Sequence, residues 1–246
     1  HDPPREYADH FEDTPMPPAV PPPEAGKPSF FSPRQWLEDT EKVTEMRRMY
    51  CAYMELIDDY IGRMMRALED RGMLENTWII FSADHGEMLG DLGCLSKSKP
   101  YEPSIHVPLI VAGPDSPAGR VCDAQIGLVD LNATICHLAG LPPQEGIESR
   151  SFHPCIEDPT SEHRDHVVAV MRRWHCVRTG RHKLVNNFND ANELYDLQED
   201  PHEEHNIYER TSRENPELIR DLRGRISRQY NNGPHGLPRE ELPERV

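Results

Sequence analysis

An α/β fold followed by a small antiparallel sheet is what this sequence predicts, and three observations predict it. From about Trp36 to Arg71 apolar residues recur at threes and fours. Two short apolar runs, Trp78 to Phe81 and Pro108 to Ala112, then enclose a polar, glycine-rich loop. After Arg164, short strand-like runs follow one another with no helix between them.

Each element has its own reason. His1 to Pro33 is rich in proline, with Pro17-Pro18 and Pro21-Pro22-Pro23, and reads as an extended loop. Val43, Met46, Tyr50, Tyr53, Met54, Ile57, Ile61, Met64, Met65 and Leu68 form one helical stripe, expected to be core, and Gly72 is its stop. Trp78, Ile79, Ile80 and Phe81 are a continuous apolar run too short for a helix, expected as a strand buried on both faces of a parallel sheet. Pro108 to Ala112 is a second strand, ended by Gly113-Pro114. Leu128, Leu131, Ile135 and Leu138, with Gly140 behind them, describe a short helix, with Asp123 and Asp130 as local structural residues. Val167 to Val170, Trp174 to Val177, Lys183 to Val185 and Glu193 to Leu197 are the strands of the antiparallel sheet. Asn215 and Pro216 cap and open a terminal helix with Leu218, Ile219, Leu222, Ile226 and Tyr230 on one face. The expected organisation is therefore an α/β part over 1–160, the small sheet with its helix over 161–232, and a flexible tail over 233–246.

Composition bounds the function. The 246 residues suffice for a sizeable core. Lys+Arg 27 against Asp+Glu 43 gives a net charge of -16, which argues against nucleic acid and anionic membrane as partners. The same charge repels anionic substrates, so an anionic ester would need a local cationic site. The six cysteines show no C-x-x-C pair and no metal-finger spacing. Cys51 and Cys136 fall in helical patterns and are expected as small core residues. No apolar run reaches the length of a membrane span.

The chemistry concentrates after Phe81. Asp84 and His85, then Gly86, Gly90 and Gly93, follow the first strand, and ligands of open α/β sheets bind outside the carboxyl ends of strands. An adjacent carboxylate and imidazole there are candidate ligands of a divalent cation, and Lys97 is spaced so that the loop can return an ammonium beside them. His202 and His205 lack a third partner nearby and are expected to be solvated.

DHGEMLGD, the lysine, YEPSIHVPLIVAGP and LVDLNATICHLAGL resemble the second half of the sulfatase family, within the alkaline-phosphatase-like superfamily. The resemblance runs from about Asp2 to Tyr230. It implies the C-terminal part of an alkaline-phosphatase-like sandwich, Asp84 and His85 as metal ligands, Lys97 as a catalytic residue holding the sulfate or the leaving oxygen, and a sulfated small molecule or saccharide as substrate. It favours calcium, with manganese as the alternative. The family's nucleophile is a formylglycine hydrate made from a C/S-x-P-x-R motif, joined by two further aspartate ligands. None of the cysteines or serines here has proline and arginine at those offsets, so that group is expected upstream of His1, and the chain alone is expected not to turn over. His1 itself is not assigned the role of the family's substrate-binding histidine. Leu92 stands where many relatives have histidine after GD, and His106 where arginine is frequent before VPL; both are expected to alter substrate contacts. Beside the sulfatase reading stand a phosphonate monoester hydrolase or phosphodiesterase of the same superfamily, and a noncatalytic fragment.

Overall fold

A computed structural model describes residues 2–145 and 147–232; His1 and the tail expected over 233–246 lie outside them. The chain packs as two units, one of residues 1–24 and 30–115, the other of 25–29 and 116–246. No helix among the described residues is long and apolar enough to cross a membrane.

The first unit opens with a short helix α1 (Arg5–Ala8) and a 3-10 turn (Asp9–Phe11), where an extended loop was expected. They are held to the long helix α2 (Thr40–Glu69), Tyr7 donating to Asp59 (2.9 Å) and His10 pairing with Glu55 (2.9 Å). The prolines follow as extended chain, and Arg47 and Arg48 of α2 take up the carbonyls of Pro17 and Thr14. Asp39 caps α2 by accepting the Lys42 N–H, and Gly72, at φ 65°, ends it. The expectation of a core stripe is corrected: Val43 alone of it is buried, with Ala52 beside the stripe, whereas Met54, Ile57, Met64 and Met65 are 36–59% exposed. A 30-residue helix extends for about 45 Å.

Strand β1 (Ile79–Ser82) pairs with β2 (Leu109–Ala112) in antiparallel register, Ile79 opposite Ala112 and Ser82 opposite Leu109. The expectation of a parallel strand buried on both faces is corrected on both counts: the direction is antiparallel and β1 is half-buried throughout. An apolar run shows that a strand seeks apolar neighbours; it carries no information on their direction. Gly113 is needed at the end of β2, where a Cβ would lie 2.2 Å from the Trp78 ring. Between the strands run the glycine-rich loop and the single turn of α3 (Glu102–Ile105), and Met88, Leu92, Cys94 and Tyr101 are all buried here.

The second unit contains α4 (Asp130–Leu138), α5 (His153–Glu157), an antiparallel sheet in the order β3 (Val167–Met171), β4 (Trp174–Arg178), β5 (His182–Asn187) and β6 (Glu193–Asp196), then α6 (Tyr208–Glu214) and α7 (Pro216–Asn232). Alternation along β4 and β5 buries Val177 and Leu184 with Leu194 of β6 against Ile219, Leu222 and Ile226 of α7. Asn215 accepts the Leu218 N–H (3.3 Å), the expected cap; the side chain of Tyr230 lies outside those described. Cys51 and Cys136 are half-buried rather than core, while Cys94, Cys155 and Cys176 are buried.

The five-residue segment Ala25–Ser29 belongs to this second unit although both its flanks belong to the first. Its Lys27 Nζ lies buried, donating to the Tyr195 hydroxyl (2.8 Å) and the Glu203 carbonyl (2.9 Å) and standing 3.6 Å from the Glu193 carboxylate. Burial pulls this ammonium below the ordinary lysine value, against the pull of Glu193 and Glu203. Beside it Lys183 and Glu203, both fully buried, pair at 2.6 Å.

Candidate metal and anion site

Strand β1 delivers the site. Ser82 Oγ donates to the Pro108 carbonyl (2.8 Å), fastening the ends of β1 and β2, and Asp84 follows two residues later. Its carboxylate is 88% exposed and accepts the His85 N–H (3.1 Å), and Asp84 Oδ2 and His85 Nε2 stand 3.6 Å apart. His85 Nδ1 lies 2.9 Å from the Gly86 carbonyl. A carbonyl can only accept, so Nδ1 carries the hydrogen, and the neutral ring then has its lone pair on Nε2, beside the carboxylate. Gly86 itself is fixed, its N–H donating to the Ser104 carbonyl (2.8 Å), and a Cβ there would meet the Pro103 oxygen at 2.0 Å. No other residue fits at that position.

The pair suits part of a cation shell. A carboxylate and an oriented imidazole nitrogen, both open to solvent, are acceptable donors for manganese or zinc, and the carboxylate for calcium. Among the described residues no group of three or more histidines, cysteines, aspartates and glutamates could hold a metal.

Lys97, on the same loop, is exposed and forms no ion pair among the described residues. The structure thus brings Asp84 and His85 into contact but joins Lys97 to them only through the loop. That loop is held from α2, where Arg47 donates to the Leu89 carbonyl (2.9 Å) and to Asp91 (2.6 Å). Asp91 also accepts the Val20 N–H (2.9 Å). These supports were not singled out in the sequence, where Asp91 is one acidic residue of GEMLGD and Arg47 one polar position of a helix. Leu92, which stands in place of histidine, is buried. His106 is 71% exposed and lies 3.3 Å from Glu102. His202 and His205 are exposed, as expected. Burial, then the neighbouring Cys122 thiol, pushes the Cys155 thiol up to about 11.

An α/β part followed by a small antiparallel sheet and C-terminal helices places the chain in the alkaline-phosphatase-like fold class. The family profile described as Sulfatase matches residues 4–141, and that described as N-sulphoglucosamine sulphohydrolase, C-terminal, matches residues 90–232. The chain belongs to the sulfatase family. It is 26% identical over 200 residues to arylsulfatase K of Xenopus laevis, covering 74% of this chain and 37% of that protein. It is 31% identical over 182 residues to N-acetylglucosamine-6-O-sulfatase of Bacteroides thetaiotaomicron, covering 68% and 33%. Among solved structures it is similar to BT4656 in complex with its substrate D-glucosamine-2-N,6-O-disulfate (TM-score 0.72, 28% identity, 81% of this chain and 44% of that one). It is also similar to phosphonate monoester hydrolase of Agrobacterium radiobacter (TM-score 0.66, 27% identity, 78% and 43%). The chain spans about a third of the length of these curated relatives and under half of the solved ones.

Proposed function

We propose that the chain supplies the part of a sulfatase active site that holds a divalent cation and neutralises the sulfate, within an enzyme that cleaves sulfate monoesters of saccharides. One observation carries this reading: Asp84 and His85 meet, open to solvent, where β1 ends, on the same loop as an ammonium that has no carboxylate partner among the described residues. A sulfate monoester is anionic and its sulfur is shielded by oxygens, so breaking the S–O bond requires charge neutralisation and help for the departing oxygen. Asp84 would hold the cation through its carboxylate and His85 through Nε2, the ring kept in place by Gly86. When bound, the cation supplies Lewis acidity and positive charge. Lys97, a compact point charge, would bind the sulfate or the leaving oxygen. We rank calcium first and manganese second, and place the formylglycine nucleophile and the remaining ligands outside this chain.

The likeness to an N-acetylglucosamine-6-O-sulfatase and to a protein that binds D-glucosamine-2-N,6-O-disulfate as its substrate supports a sulfated amino sugar. The likeness to phosphonate monoester hydrolase supports a second reading, since a metal and a lysine serve either ester. Elemental analysis tests the metal assignment. In the complete enzyme, Asp84→Ala should lose most of the bound metal and most of the sulfate release. Unchanged metal content would remove Asp84 from the site, and hydrolysis of an aryl phosphonate far ahead of any sulfate ester would favour the second reading.

A further inference from the structure

The loop that carries Asp84, His85 and Lys97 holds four non-glycine residues in the left-handed region: Leu89 at φ 45°, Leu92 at 54°, Ser96 at 63° and Ser98 at 72°. A non-glycine residue is strained there and persists only where its surroundings impose it. Two of the four, Ser96 and Ser98, flank Lys97 on either side. The backbone that presents this ammonium is therefore held in a conformation it would not adopt alone.

The restraint on Ser96 is visible. Its N–H donates to Glu87 Oε1, and its carbonyl accepts the Met88 N–H (3.1 Å). The same Glu87 oxygen lies 3.4 Å from the Leu89 N–H. Both backbone groups of Ser96 are thus taken up by Glu87 and Met88, two and three residues beyond His85. Met88 is fully buried, which anchors the ribbon from which Glu87 reaches out. Glu87 forms no ion pair among the described residues, so its charge remains available to strengthen the bond to the Ser96 N–H.

We infer that Glu87 is a positioning residue, whose carboxylate fixes Ser96 and thereby sets where Lys97 stands relative to the Asp84–His85 pair. This rests on the proposed role of Lys97, while the clamp on Ser96 can be measured without it. Glu87→Gln keeps an oxygen able to accept the same N–H groups and removes the charge; Glu87→Ala removes the acceptor.

Two readouts separate the outcomes. In this chain, amide hydrogen exchange at Ser96 and Lys97 should accelerate in Glu87→Ala and stay near the parent rate in Glu87→Gln. In the complete enzyme, Glu87→Ala should lower kcat on the order of a hundredfold, the scale of an ångström-sized misplacement, with metal content unchanged. Glu87→Gln should recover most of that loss. The inference is overturned if exchange at Ser96 is the same in Glu87→Ala as in the parent, if Gln is as poor as Ala, or if Glu87→Gln loses metal, which would make Glu87 a ligand. An enzyme that releases no sulfate, yet shows the expected exchange pattern, upholds the clamp and refutes the proposed function instead.

Discussion

Asp130 shows what a single residue does in this chain beyond the site. It is fully buried, grips Arg164 with both oxygens (2.7 and 2.5 Å), stands 3.0 Å from His163 Nε2, and accepts the N–H groups of Gly127 and Arg150. Burial by itself raises its carboxyl, but Arg164 and the backbone donors more than offset that and hold it below the usual carboxylate value. A folded-state value lower than the unfolded one means that its contribution is complete above about pH 4 and is lost as pH falls through the lowered value. Asp130→Asn should therefore cost about 3–5 kcal/mol by denaturant titration at neutral pH, because the Arg164 guanidinium stays buried without a counterion, and the gap to the parent should narrow in acid. A cost below about 1 kcal/mol, the worth of an exposed pair, would contradict this. A structural role for Asp130 was legible in the sequence, but as a local one; its partner Arg164 lies 34 positions away, beyond what spacing records.

At the scale of elements, the Ala25–Ser29 segment anchors itself on the second unit by three residues. Asn206 Nδ2 donates to the Gly26 carbonyl (2.6 Å), Lys27 enters between Tyr195 and Glu193, and the Ser29 N–H and hydroxyl donate to Asp190. Lys27→Met would keep the stem and remove the buried ammonium that donates to Tyr195 and the Glu203 carbonyl, leaving those buried acceptors short of a donor; a destabilisation of roughly 1–3 kcal/mol is expected, with Lys27→Arg milder if the guanidinium fits. Unfolding of the parent and Lys27→Met at the same urea concentration would show that the ammonium adds nothing.

The same elements show what was legible in the sequence. The four strands of the C-terminal sheet could be read because apolar residues there recur between clear turn residues, and α2 because 30 residues of helical period leave no other reading. Strand direction could not be read at β1, where four apolar residues in a row suit either neighbour. Asp84 and His85 were legible as a pair because they are adjacent and follow a strand. Glu87, Arg47 and Lys27 were not, because each acts through a backbone carbonyl, a backbone N–H or a distant side chain that no spacing records.

At the scale of the whole molecule, a net charge of -16 surrounds a site proposed to receive an anion. Exposed charges more than a Debye length of about 10 Å away are largely screened at ordinary ionic strength, so the groups at the site itself, Lys97 and the cation, must overcome the repulsion. In the proposed function Lys97 acts on the sulfate and Lys99, two residues on, does not. The direct measurement is sulfate release from 6-O-sulfated N-acetylglucosamine by the complete enzyme, with metal content determined in parallel. Lys97→Ala should lose on the order of a hundredfold to a thousandfold in kcat while keeping its metal, and Lys99→Ala should remain within a few-fold of the parent. Equal behaviour of the two variants, or a Lys97→Ala enzyme working at the parental rate, would contradict the account.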